Sequence, residues 1–297
     1  MNKINHKTIG RKLKLFFFYK NLNTGLPIWL PNGSYIYNKI KAIINKINIK
    51  NRYNEVITPN ISNFSIYKKS GHLDKYLKNI FQILYKKKIY LKPMNCPYHC
   101  LIYKFYNNIS YKDLPLKFYE FGTVFRNEKS GELNGLFRTK IFTQDDGHIF
   151  CKDENDVIKE INNIINIIFE LYKEFKLKKF YIKLSLRDKY KKDKYLGKNK
   201  YWKKSENILI YILKNKKIEF IKVYGEAAFY GPKIDFFFQD RYKREWQLST
   251  IQIDYNTPKK LNIKYVNKYN KIKYPIMIHR ALIGSIERFI GILIEHN

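Results

Sequence analysis

Two arginines far apart in the chain carry the first chemical suggestion. Arg126 closes a strand-like apolar run in PheArgAsnGlu at 125–128, and Arg288 lies in the apolar helical stretch IleGlySerIleGluArgPhe at 283–289, after a Gly284-Ser285 step. A guanidinium presents a planar fork of donors that matches a carboxylate or a phosphate. One fork on a carboxylate and an α-phosphate, with a second on the far phosphates, suits attack of an acid on ATP. Cys96, His148 and His279 form another candidate set, but they sit in three separate segments. No local ligand spacing therefore supports a metal site, and buried, hydrogen-bonded residues are the plainer alternative.

The elements that must position these residues follow from hydrophobic period and breakers. A helix is expected at about 5–18, then a Gly/Pro-rich turn region at 23–34 and a periodic helix at roughly 35–50 ending near Asn51. TyrAsnGluValIleThrProAsn at 53–60 reads as a strand stopped by its proline. Residues 115–126 and 136–151 read as antiparallel strands around the loop 128–135. A helix at 154–174 and a strand at 180–185 come next, then a lysine-rich exposed stretch at 187–204 and a helix at about 203–215. A turn and strand at 224–238, an alternating strand at 245–255 and a closing strand and helix at 275–295 complete the pattern. So many strands joined by antiparallel connections indicate an α+β fold.

The chain has 297 residues, 45% of them hydrophobic, enough for a large core. Its formal charge is +33, from 58 Lys+Arg against 25 Asp+Glu, so an anionic partner is expected. The lysines are spread along the chain, and the dominance of Ile, Lys, Asn, Tyr and Phe is also what an AT-rich genome would produce. Three cysteines, Cys96, Cys100 and Cys151, argue against a disulfide scaffold and for a reducing compartment. The apolar cluster at 15–18 is too short to span a bilayer, and the run 157–171 is interrupted by Lys, Glu and Asn at helical spacing. A soluble cytoplasmic protein is expected.

The pair of arginine stretches resembles the second and third signature motifs of class II aminoacyl-tRNA synthetases. LysProMetAsnCysPro, ThrGlnAspAspGlyHis and MetIleHisArgAla look specifically like the threonyl-tRNA synthetase family. The helix, strand and proline at 35–60 resemble the first class II motif, which implies a homodimer. The resemblance implies an antiparallel sheet flanked by helices, activation of L-threonine by ATP with Mg²⁺, and transfer to tRNA(Thr). It implies that Cys96, His148 and His279 hold a zinc ion whose open positions take the substrate's amino and hydroxyl groups, with Asp146 accepting from the same hydroxyl. Valine is nearly isosteric with threonine, and an apolar pocket separates such a pair only about 100-fold. A hydroxyl that must bind metal makes the difference decisive. His99 and Cys100 remain competing ligands beside Cys96, and Cys100 and Cys151 are read as structural.

By the same resemblance, Arg126 takes the α-phosphate and the carboxylate, Glu128 the adenine amino group, and Phe142 the face of the ring. Arg138 and Arg288 clamp the β- and γ-phosphates. Gln144 and Gln247 face the amino group or the phosphates, Tyr230 and Lys233 line the threonine pocket, Gln252 lies near the ribose or phosphate with Ser285 close by, and Met94 is a further substrate- or ATP-binding residue. His72, in LysLysSerGlyHisLeuAspLys, matches a family histidine considered for the transfer step. The likeness covers about 5–295 and corresponds to a catalytic domain over 1–297, without an editing or an anticodon-binding domain. Two departures stand out. CysProTyrHis replaces the family's CysProGlyHis, and LysIlePheThrGln replaces ArgGlyPheThrGln, so Tyr98, Lys140 and Ile141 put efficiency in question. The alternatives are a synthetase-like protein that binds tRNA without charging it, or a class II enzyme of another specificity.

Overall fold

The computed structural model describes residues 5–19, 21, 24–71, 79–83, 89–188, 190–240 and 242–296. Its centre is an eight-stranded sheet in the order Ile221–Tyr224, Phe180–Leu186, Lys233–Gln239, Glu245–Asp254, Ile276–Ala281, Ile141–Cys151, Leu116–Phe125, Asn54–Glu55. The inner pairings are antiparallel, as expected. Both outermost pairings are parallel and were not foreseen. Parallel neighbours are joined by crossovers, so their pairing leaves no short-range turn signal.

One face of the sheet is covered by helices. Glu154–Glu174 falls where its pattern placed it: Val157, Ile161, Ile164, Ile165, Ile168 and Leu171 are fully buried at helical spacing. Asp153 caps its start by accepting from Asp156 N–H at 3.0 Å. Each buried aliphatic side chain of this kind contributes roughly 1.5–3 kcal/mol. Asn199–Asn215, Ile286–His296 and part of Pro31–Lys50 join the same core. The other face carries the short helix Cys96–Phe105 at one end and, among the described residues, a cleft beside it.

Several boundaries move. The first helix spans His6–Lys12 rather than about 5–18. Lys14 turns left-handed (φ 51°) and Leu15 N–H returns to Gly10 O at 2.7 Å, so Phe16–Phe17 leaves as a strand against Ile28–Trp29. The second helix begins at Pro31, which its locked φ suits to the first turn. The strand expected at 53–60 shrinks to Asn54–Glu55, and 136–140 is not strand, because Gly135–Phe137 forms a 3-10 turn. The helix expected at about 203 starts at Asn199. No helix among the described residues is long and apolar enough to cross a membrane.

Candidate active site

A cleft of about 470 Å³ opens on the sheet face that carries Cys96–Phe105. It gathers every expected site residue except His72, which lies outside the described residues. Strand alternation explains the convergence. Phe142, Gln144, Asp146 and His148 share one face of Ile141–Cys151, while Ile149 and Cys151 point into the helix-covered core. Across the register His279 stands between His148 and Gln252. A bulge between Asp235 and Phe237 re-aims the neighbouring strand. Buried Asp235 then collects Ser185 Oγ at 2.6 Å, Gln247 Nε2 at 2.6 Å, Thr250 Oγ1 at 3.0 Å and Lys233 Nζ at 2.8 Å.

One half of the cleft is cationic. Arg126 lies over the Phe142 ring, 5.0 Å from its centroid. Arg288 donates to Phe137 O at 2.9 Å and Gln247 O at 3.0 Å, and its own N–H is capped by Ser285 Oγ at 3.0 Å. Two backbone carbonyls orient this guanidinium without neutralising it. Burial first, then Arg126 and Arg138, pull Arg288 down to about 10. Like charges held this close inside a cleft make a site for a polyanion. Arg138 instead pairs with Glu128 at 2.7 Å and reaches Glu132 at 3.6 Å. Both of those predicted nucleotide contacts therefore satisfy each other here.

The other half holds the candidate ligands. One ligand atom each from Cys96, His148 and His279 lies within 4.8 Å of the others, and all three residues are buried. His148 Nε2 faces His279 Nδ1 at 3.1 Å. His279 Nε2 meets Asp254 Oδ2 at 3.1 Å, His148 Nδ1 meets His99 Nδ1 at 2.8 Å, and His99 Nε2 meets Glu120 Oε1 at 3.2 Å. With His279 Nε2–H donating to Asp254, and His99 Nε2–H donating to Glu120 so that His99 Nδ1 accepts from His148 Nδ1–H, His148 Nε2 and His279 Nδ1 both direct lone pairs at one point. Two bare lone pairs repel; a shared cation between them turns the repulsion into ligation. Two imidazole nitrogens on a tetrahedral zinc sit about 3.3 Å apart, close to the spacing seen. A sulfur and two imidazoles, with outer carboxylates setting the tautomers, fit such an ion. Burial holds the Cys96 thiol well above its ordinary value, a preference that ligation to a cation reverses.

Comparison with known proteins identifies the family. The tRNA synthetase class II core domain (G, H, P, S and T) matches residues 81–297. The threonine–tRNA ligase of Bacteroides thetaiotaomicron is 45% identical over 99% of this chain and 46% of its own length. A solved threonyl-tRNA synthetase domain from Cryptosporidium parvum, described as RNA-binding, superposes with TM-score 0.93 at 39% identity, covering 98% of this chain and 72% of that one. The chain belongs to the threonyl-tRNA synthetase family. It spans about half the length of the curated relatives it matches. A prolyl-tRNA synthetase from Giardia lamblia, at 16% identity and TM-score 0.76, shares the fold.

In this threonyl-tRNA synthetase fold, His99 and Cys100 separate from the ligand set. His99 stands behind His148, and Cys100 turns to Met277, Sγ to Sδ 3.8 Å. Cys151 is packed in the helix-side core. Three supporting residues went unread in the sequence: Asn95, Asp254 and Asp235. Asn95 donates to Asp146 Oδ2 at 2.9 Å, so it orients the carboxylate expected to meet a hydroxyl. Asp254 lies two residues past Gln252, and the same alternation that placed Gln252 in the cleft would have found it. Two of the departures from family pattern, Tyr98 and Ile141, have clear places in the fold. Tyr98 sits inside a helix with its hydroxyl on Ile61 O at 3.1 Å, where no left-handed backbone is needed. Ile141 lines a separate cavity with Thr123 and Thr143, on the opposite face from Phe142.

Proposed function

We propose that this chain carries threonine–tRNA ligase activity: L-threonine and ATP give threonyl-adenylate and pyrophosphate, and threonine then passes to the 3′ end of tRNA(Thr). The observation that supports it most is one cleft with an arginine cluster at one end and a buried Cys/His/His set at the other.

The threonine carboxylate is already a nucleophile, so activation needs position and charge neutralisation more than proton transfer. Arg126 holds the carboxylate oxygen against the α-phosphate. As that oxygen bonds to phosphorus, the bridge to the β-phosphate breaks and pyrophosphate leaves with Mg²⁺. Arg288, already aimed by two carbonyls, and Arg138 take the departing charge. Arg138 must first leave Glu128, and its side chain is 46% exposed, so the guanidinium can exchange this bond for water or phosphate. That exchange frees Glu128 for the adenine amino group while Phe142 stacks on the ring. Gln144, Ser285 and Gln247 border the phosphates and the substrate amino group; Met94, Tyr230, Lys233 and Gln252 close the amino-acid pocket. Asp146, oriented by Asn95, accepts from the threonine hydroxyl. Zinc at Cys96, His148 and His279 would supply Lewis-acid coordination of the amino and hydroxyl groups, so that valine lacks a ligand. In the second step His72 is proposed to take the proton of the terminal ribose hydroxyl as it attacks the acyl carbon and AMP leaves. A homodimer and a cytoplasmic location belong to the same reading, the latter supported by three buried cysteines that form no disulfide.

ATP–pyrophosphate exchange with threonine, serine and valine, with and without a zinc chelator, tests the proposal. Exchange with threonine, weaker exchange with serine, none with valine, one zinc per chain and loss on chelation are expected. Chelator-insensitive exchange with another amino acid would reassign the substrate, and no exchange with any would leave an RNA-binding role.

A further inference from the structure

His6 opens the first helix, far from the ligands of the cleft in sequence, yet it is 1% exposed. Glu295, on the last helix, takes both its backbone N–H at 2.9 Å and its ring Nδ1 at 2.6 Å. A carboxylate on Nδ1 fixes the proton there, so Nε2 keeps its lone pair. That lone pair accepts the N–H of Leu136 at 3.0 Å. Leu136 belongs to the turn Gly135–Phe137, which leads directly into Arg138 and Thr139 at the cleft wall. The same turn supplies the Phe137 carbonyl that orients the Arg288 guanidinium.

The fit around this contact is close. Gly135 is left-handed (φ 52°), and a Cβ added there would lie 2.2 Å from His6 Nε2. The Phe137 ring lies 4.2 Å from the His6 ring and stacks on Trp246 at 4.0 Å. Arg244 ties the far side of Glu295 to Asp240, which it meets at 2.6 Å. Burial pushes His6 below its ordinary value against the pull of Glu295, which keeps the ring neutral, the form an acceptor nitrogen requires.

We infer that His6 is a positioning residue for the nucleotide half of the cleft. Its Nδ1–H tautomer, set by Glu295, holds Leu136 and with it the turn that launches Arg138 and aligns Arg288. This inference rests on the reading of the cleft as an ATP site. It assigns no contact between His6 and substrate, and it couples the start and the end of the chain to the phosphate-binding arginines.

The test compares His6→Asn and His6→Gln. Asparagine can place an amide donor where Nδ1 stood but cannot reach Leu136; glutamine can place an amide oxygen where Nε2 stood. Calorimetric ATP binding and exchange kinetics are measured for the wild type and both variants. His6→Asn should raise KM for ATP about 3- to 10-fold, the worth of one buried hydrogen bond, with KM for threonine within about 2-fold. His6→Gln should return KM for ATP to within about 3-fold of wild type. A merely structural role would lower the melting temperature without separating the two KM values. Gly135→Ala, whose Cβ cannot share the space beside His6 Nε2, forces the turn and the His6 ring apart; it should give the same ATP-selective loss and stands in if His6→Asn does not fold. Unchanged ATP affinity in His6→Asn or in Gly135→Ala, equal rises in both KM values, or no rescue by glutamine overturns the inference alone. Failure of the wild type to bind ATP overturns the reading of the cleft and this inference with it.

Discussion

Glu287 is a buried carboxyl whose charge state should be visible in stability. It precedes Arg288 on the last helix, and both its oxygens accept the Thr143 N–H at 3.0 Å, with Tyr37 OH at 3.5 Å. Burial, the largest effect, raises it from 4.5 to about 7, against the opposing pull of backbone N–H groups, Tyr37 and Ser285. The folded state therefore binds a proton more tightly than the unfolded one. Stability from this group is fully present below about pH 4.5, falls as pH rises, and is lost above about 7. A shift of this size corresponds to about 3 kcal/mol, at about 1.4 kcal/mol per unit. Glu287→Gln keeps an oxygen for Thr143 N–H and cannot ionise. Its stability relative to wild type should thus improve by about 3 kcal/mol between pH 5 and pH 8, or on the order of 6 °C in melting temperature. Urea unfolding at both pH values, with thermal melts alongside, measures the difference. Other titrating groups act equally on both proteins and cancel. Parallel stability–pH curves would show that Glu287 ionises freely in the folded chain and would refute the reasoning.

Other outcomes follow from the same structure. Arg280→Leu strands Asp145, whose Oδ1 lies 2.7 Å from Nη1 in a pair with no exposed side-chain surface. It should cost about 3–5 kcal/mol in urea unfolding, because a buried charge loses its partner, and a cost below about 1 kcal/mol contradicts this. If the +33 charge contributes to tRNA binding through phosphates, affinity should drop about 10³-fold or more between 50 and 200 mM salt. A flat response in filter binding removes that role.

Local pattern accounted for much of the frame. The helix at 154–174 follows from apolar residues at helical spacing behind an Asp cap, and the site strand from alternation through Phe142, Gln144, Asp146 and His148. Where pattern failed, a distant partner had overridden it. Asn54–Glu55 is short because only two of its residues meet Leu116–Phe125. Ile221–Tyr224 went unread because its pairing with Phe180–Leu186 is parallel and crosses an intervening helix.

The sequence by itself determined which residue types were available for the chemistry: separated arginines, one Cys and two His in family-like stretches, and a backbone that alternates where a cleft wall is needed. Side-chain identity and period are local properties, written residue by residue. Only the tertiary structure decided which of these groups share a space. It set His148 across from His279, moved His99 one layer back, paired Arg138 with Glu128, and brought His6 and Glu295 together under the turn before Arg138. Those relations depend on strand register and on the packing of chain ends 289 residues apart, and no local pattern encodes either.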